Sequence, residues 1–131
     1  MNSYLEDGYV SVWLGVCNSY YELDEYLIAN YDEDGEAINS RFAEDFQLCF
    51  DEDFREADVA DEASSNLEEL LDGFSAYGTF IDEAKTLIGN PLAQFYNSAV
   101  LLYEFKYDGD IVDIQHEDLS LDFIGSFKFI Y

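Results

Sequence analysis

Tyr9-Val10-Ser11-Val12-Trp13-Leu14-Gly15 is the stretch that decides the fold. Val10, Val12 and Leu14 alternate with Tyr9, Ser11 and Trp13, the period of two that a pleated strand imposes, until Gly15 stops it. A second run, residues 99–107, is almost continuously apolar and then alternates Tyr103, Phe105 and Tyr107 with Glu104 and Lys106. Asp108-Gly109 is a hairpin turn signal, after which residues 111–114 are expected to return antiparallel. Residues 119–131 alternate again around Gly125, with Phe127, Phe129 and Tyr131 on one side.

Helical signals fill the space between these strands. Ser19-Tyr20-Tyr21-Glu22 is a capping box, and Tyr20, Leu23, Leu27 and Tyr31 follow at helical spacing, predicting a helix over 20–30. The Gly35-containing segment 32–36 is a loop, Asn39 or Ser40 caps a short helix through Phe46, and 48–50 is a short strand. Ser65-x-x-Glu68 opens a helix that carries Leu67, Leu70 and Leu71 to Gly73. Thr79-x-x-Asp82 opens another through Ile81, Ala84, Leu87 and Ile88, closed by Gly89 and Pro91. Strands at both ends with helices between them predict an α+β fold, an antiparallel β-sheet with helices packed on one face in a single compact domain, 1–131.

Charge narrows the function. The 131 residues carry 30 Asp and Glu against 5 Lys and Arg, a formal charge of −25. Disorder does not follow, because 49% of the chain is hydrophobic and 18% aromatic, with 11 Tyr, 11 Phe and one Trp. Such a surface repels phosphates and anionic lipids, so neither nucleic acid nor membrane is an expected partner. The first residues have no basic or apolar leader pattern and no later run is long enough to span a bilayer, so the expected location is cytoplasmic. Cys17 and Cys49 have no disulfide-framework or zinc spacing and are expected to be reduced. Residues 22–72 hold 19 of the acids against Arg41 and Arg55, interleaved with Tyr26, Tyr31, Phe42, Phe46, Phe50 and Phe54. These acids therefore belong to folded elements and their loops.

No catalytic constellation accompanies them. His116 is the one imidazole, in the loop-like Gln115-His116-Glu117-Asp118, and is expected to be solvated. No phosphate-binding glycine loop or nucleophile elbow occurs. Asn30-x-Asp32-x-Asp34-Gly35 matches the start of an EF-hand loop, but Arg41 stands where the bidentate Glu belongs and Ala37 where an aliphatic residue is usual. No catalytic residue, metal site or cofactor is expected.

An acidic, aromatic, non-catalytic domain suits the binding of a basic protein. Carboxylates spaced along loops can occupy the phosphate-binding groove of a basic nuclease and raise its association rate to about 10⁸–10⁹ M⁻¹s⁻¹ at low salt. Candidate contacts are Tyr31, Asp32, Glu33, Asp34, Glu36, Asp51, Glu52 and Asp53, with the plain alternative that they form a solvated acidic face. Trp13 is expected in the core.

Several segments also resemble the immunity protein 22 family. They are Val10-Ser11-Val12-Trp13-Leu14-Gly15, Tyr21-Glu22-Leu23-Asp24-Glu25-Tyr26-Leu27, Ser40-Arg41-Phe42-Ala43-Glu44-Asp45-Phe46 and Asp51-Glu52-Asp53-Phe54. Ala99-Val100-Leu101-Leu102-Tyr103-Glu104-Phe105 and Phe123-Ile124-Gly125-Ser126-Phe127 are similar too, and the likeness is weakest over 55–78. The resemblance implies a small cytoplasmic protein of bacterial polymorphic toxin systems, an antitoxin that neutralises a cognate toxin domain, often a nuclease. The rival readings are a DNA mimic that inhibits several DNA-binding proteins and, on the abundance of acids alone, a carboxylate-dependent hydrolase. The sequence leaves the oligomeric state open.

Overall fold

The computed structural model describes residues 2–130, leaving aside the side chains of Asn2, Ser3, Asn30 and Ala37. Its elements in chain order are β1 (Asn2–Ser3), β2 (Leu5–Cys17), α1 (Tyr20–Leu27), β3 (Asn30–Tyr31), β4 (Ala37–Ile38), α2 (Arg41–Phe46) and β5 (Leu48–Cys49). A single 3-10 turn, Glu52–Phe54, leads into β6 (Arg55–Ser64), α3 (Leu67–Leu71), α4 (Tyr77–Ile88), β7 (Tyr96–Phe105), β8 (Asp113–Gln115) and β9 (Leu119–Lys128). Five of the strands form one antiparallel sheet in the order β6-β7-β2-β9-β8, giving the expected α+β architecture.

The run around Trp13 lies at the centre of that sheet, and it is buried on both faces. Val10, Val12 and Leu14 join Leu101, Phe127 and Phe129 under α3 and α4, packing on Leu67, Leu71 and Phe80. Trp13 and Cys17 point the other way, with Val100, Leu102 and Leu121, under α1 and α2 and against Leu23, Leu27, Phe42 and Phe46. The helices thus cover both faces rather than one. The physical reason is visible in the strands: β2 and β7 are apolar at nearly every position in their central halves, and an uncovered face would leave half of those side chains in water.

The ends of the strands depart from simple alternation. Glu104 has a left-handed backbone (φ 56°), and β7 changes face there, so Tyr103 packs with Phe129 whereas Phe105 and Tyr107 join Trp13. Ser11, fully buried, holds the kink: its hydroxyl donates to the Phe105 carbonyl (2.8 Å) and accepts from the Tyr107 N–H (2.9 Å). No tight hairpin forms at Asp108-Gly109. Tyr107 turns into the core and bonds the Ile111 carbonyl (2.7 Å), and β8 pairs with β9 rather than returning along β7. Phe127 and Phe129 share a face as expected; Tyr131 lies outside the described residues.

Helix starts follow their caps closely. Ser19 and Ser40 accept N–H bonds from Glu22 and Ala43, while the cap of α3 is Asn66, one residue after the expected Ser65. Helix α4 begins two residues before Thr79, whose hydroxyl bonds back to the Ala76 carbonyl. Helix α1 stops at Leu27 instead of 30, because Asn30 and Tyr31 pair as β3 with β4. The longest helix has 12 residues, and among the described residues none is long and apolar enough to cross a membrane.

Candidate functional site

Residues 30–38 form a small hairpin whose acidic tip is built by its first aspartate. The Asp32 carboxylate accepts the N–H groups of Asp34 and Glu36, each at 2.9 Å, and its own N–H donates to the Glu36 carbonyl at 3.0 Å. That Asx arrangement, with Gly35 at φ 80°, closes the turn. The Asp32 carboxylate of the EF-hand-like pattern is thereby used by the turn itself, and the Asn30 side chain lies outside the described residues. Glu33, Asp34 and Glu36 point to solvent, and Tyr31, placed in β3 rather than on a helix, is 69% exposed.

The second acidic cluster begins a different element. Asp51 caps the 3-10 turn by accepting the Asp53 N–H (2.9 Å), and Glu52 reaches Arg55 at 2.8 Å. Arg55 is the hub, with its side chain only 11% exposed and Asp24 of α1 on its other side at 3.7 Å. Glu52 is therefore a structural partner as well as a surface acid, whereas Asp51 and Asp53 remain exposed. Among the described residues no hydrogen bond or salt bridge joins this cluster to the 31–36 tip; the sequence brought them together by charge, and the structure keeps them as separate projections.

A third grouping went unseen in the sequence. The Asp45 carboxylate of α2 accepts from the Tyr26 hydroxyl (2.7 Å) and meets His116 Nε2 at 2.6 Å, so His116 occupies an exposed loop, as expected, but is engaged there by Asp45. Arg41 lies over the Tyr26 ring, 5.3 Å from its centroid, and pairs with Asp118 at 3.3 Å. Burial first, and then the bond to Asp45, pushes the Tyr26 hydroxyl far above the ordinary tyrosine range. The Arg41 guanidinium holds the exposed Asp118 carboxyl below its usual range. This cluster clasps the turn between β8 and β9 onto α1 and α2. Its bonded partners lie 19 to 77 positions apart, which no local pattern connects.

Region 55–64, to which the sequence alone assigns no element, is a strand at the edge of the main sheet and carries the acids Glu56, Asp58, Asp61 and Glu62. Short alternation was present in Arg55-Glu56-Ala57-Asp58-Val59, but the carboxylates masked it, since an edge strand tolerates charge on positions that a central strand does not. Cys17 is buried and Cys49 exposed.

Arg41, Arg55 and Lys85 are paired with the protein's own carboxylates, and the Lys106 ammonium lies 4.6 Å from the Tyr9 ring centroid. Among the described residues no salt bridge involves Asp32, Glu33, Asp34, Glu36, Asp51 or Asp53. Their negative charge is thus not offset by an ion pair within the described residues. Comparison with known proteins gives one family match: the model described as Immunity protein 22 matches residues 10–129. No curated protein and no solved structure matches the chain.

Proposed function

The chain belongs to the immunity protein 22 family, and from that premise we propose that it is an antitoxin that binds a basic nuclease toxin domain one to one and occludes its active site with an acidic surface. The observation that supports the mechanism is the set of exposed carboxylates Asp32, Glu33, Asp34, Glu36, Asp51 and Asp53, with which no cation pairs among the described residues. In this reading Asp32, Glu33, Asp34, Glu36, Asp51, Glu52 and Asp53 meet Arg and Lys side chains of the toxin's phosphate-binding groove, and exposed Tyr31 packs beside them as an anchor. The protein needs no cofactor or metal and performs no catalysis; it acts by being in the way.

Co-expression with the toxin domain encoded beside this chain tests the proposal. Growth is rescued, and the two proteins co-purify in a complex that weakens as salt rises. Binding to several unrelated DNA-binding proteins in competition with DNA would favour the DNA-mimic reading instead. Failure of both rescue and co-purification would refute the antitoxin assignment for that toxin pair.

A further inference from the structure

Strand β6 is the outer strand of the main sheet, and among the described residues no strand pairs with its other side. Its pairing with β7 runs from Arg55↔Leu102 to Val59↔Ser98 and resumes only at Ser64↔Tyr96. The Arg55 N–H turns away from β7 to the Glu52 carbonyl, and the Val59 N–H bonds the neighbouring Asp58 carboxylate at 2.8 Å. In an antiparallel ladder, alternate residues direct their peptide groups to the same side. The Ala57 peptide, midway between those two, therefore faces outward as well.

That outward edge forms the floor of an open slot of about 380 Å³. Tyr20 of α1 stands on one wall, Asp72 and Phe74 after α3 on the other, and Glu56, Ala57 and Asp58 lie along the bottom. A smaller hollow shares Asp58, Asp72 and Phe74 and continues the groove to Glu69. Tyr20 is 49% exposed. Arg55, the one cation beside the slot, is already bound by Glu52 and Asp24, and it joins the slot to the acidic turn at 51–53.

We propose that this slot receives an extended, basic segment of the toxin, which adds as a sixth strand to the outer edge of β6. The inference rests on the antitoxin reading and specifies part of its contact surface. Backbone pairing at Ala57 supplies register, while the two walls supply selectivity, because side chains of an added strand alternate between them. Those on the Phe74 side meet Asp58, Asp72 and Glu69 and are Lys or Arg. Those on the opposite side meet the Tyr20 ring and are basic or aromatic. A second copy of this chain is a poor occupant, since it would bring its own charge of −25 against the same carboxylates.

Residue-resolved amide exchange on the full chain, free and bound to the toxin domain encoded beside it, tests the slot without altering the protein. The Ala57 amide exchanges readily in the free chain and slows tenfold or more in the complex. Ala57→Pro deletes that outward N–H while leaving the partners facing β7, and lowers toxin affinity at least tenfold; Asp58→Lys with Asp72→Lys on the rim does the same through charge. A complex that protects the 31–36 and 51–53 segments but leaves Ala57 exchanging as in the free chain overturns the slot and keeps the antitoxin reading. Absence of any complex overturns both.

Discussion

Trp13 gives the sharpest test of the packing described above. It is fully buried at the centre of β2 and meets Phe42 and Phe46 of α2 edge-on, with ring centroids 5.1 and 5.7 Å away. Phe123 and Tyr107 approach at 5.1 and 5.5 Å, so one indole joins the sheet to the helix that carries Asp45. Truncation by Trp13→Ala removes all four ring contacts and leaves a large void, a loss of about 3–5 kcal/mol. Trp13→Phe behaves differently. The indole Nε1 is buried without a hydrogen-bond partner among the described residues, and replacing the ring by phenyl eliminates that desolvated donor, a return of about 1–3 kcal/mol. The smaller ring leaves a cavity whose cost is of the same order, so Trp13→Phe lies within about 1.5 kcal/mol of the parent. Urea unfolding followed by far-ultraviolet circular dichroism measures both variants without relying on the lost fluorophore. Equal destabilisation by the two substitutions would refute the reasoning, since it would mean that the indole N–H is satisfied or that the ring contacts carry little.

Three further outcomes follow from other parts of the molecule. Burial raises the hydroxyl pKa of Tyr26, Tyr96 and Tyr107, so their stabilising contribution is complete below the unfolded tyrosine value of about 10 and is lost as pH rises above it. Urea midpoints should fall from that pH upward, and Tyr26→Phe should make the fall shallower; an identical slope in the variant would show that Tyr26 is not among the groups responsible. Added salt should stabilise the free chain by screening its charge of −25 while weakening its complex with the toxin, two opposite trends measurable by thermal melting and by pull-down. Gly15→Ala should cost about 1–3 kcal/mol, because a methyl group there runs into the Ser120 carbonyl of β9 and the Leu121 side chain; a parent-like urea midpoint would mean that β9 yields freely.

Much of this architecture was legible where local physics decides it. Period-two patterning located β2, and side-chain caps at Ser19 and Ser40 located two helix starts. The readings that failed depended on partners distant in sequence. Whether residues 113–115 pair with β7 or β9 is decided by how Tyr107 packs, and residues 55–64, to which local pattern assigns no element, become a strand through β7 beside them. The covering of both faces was implicit in the unbroken apolarity of β2 and β7, which exceeds what a one-sided sheet uses. At the candidate site, the sequence identified exposed acids correctly as exposed, but it could not separate Glu52, which is engaged with Arg55, from Asp51 and Asp53 beside it. The Tyr26–Asp45–His116 clasp joins three distant segments and left no trace in any of them.

The sheet also acts as a partition. The core containing Phe80 and the core containing Phe42 share no residue and are separated by the backbones of β2 and β7. Damage in one compartment therefore reaches the other only through the strands between them, and paired substitutions across the partition should come close to adding. That insulation gives the protein a layer it can remodel: α1 and α2 are anchored to one compartment, and they and the acidic hairpin between them can change in shape and charge without disturbing the other core. The opposite compartment, closed by α3 and α4, meanwhile keeps the chain folded, and only its outer rim at Glu69, Asp72 and Phe74 borders the proposed slot.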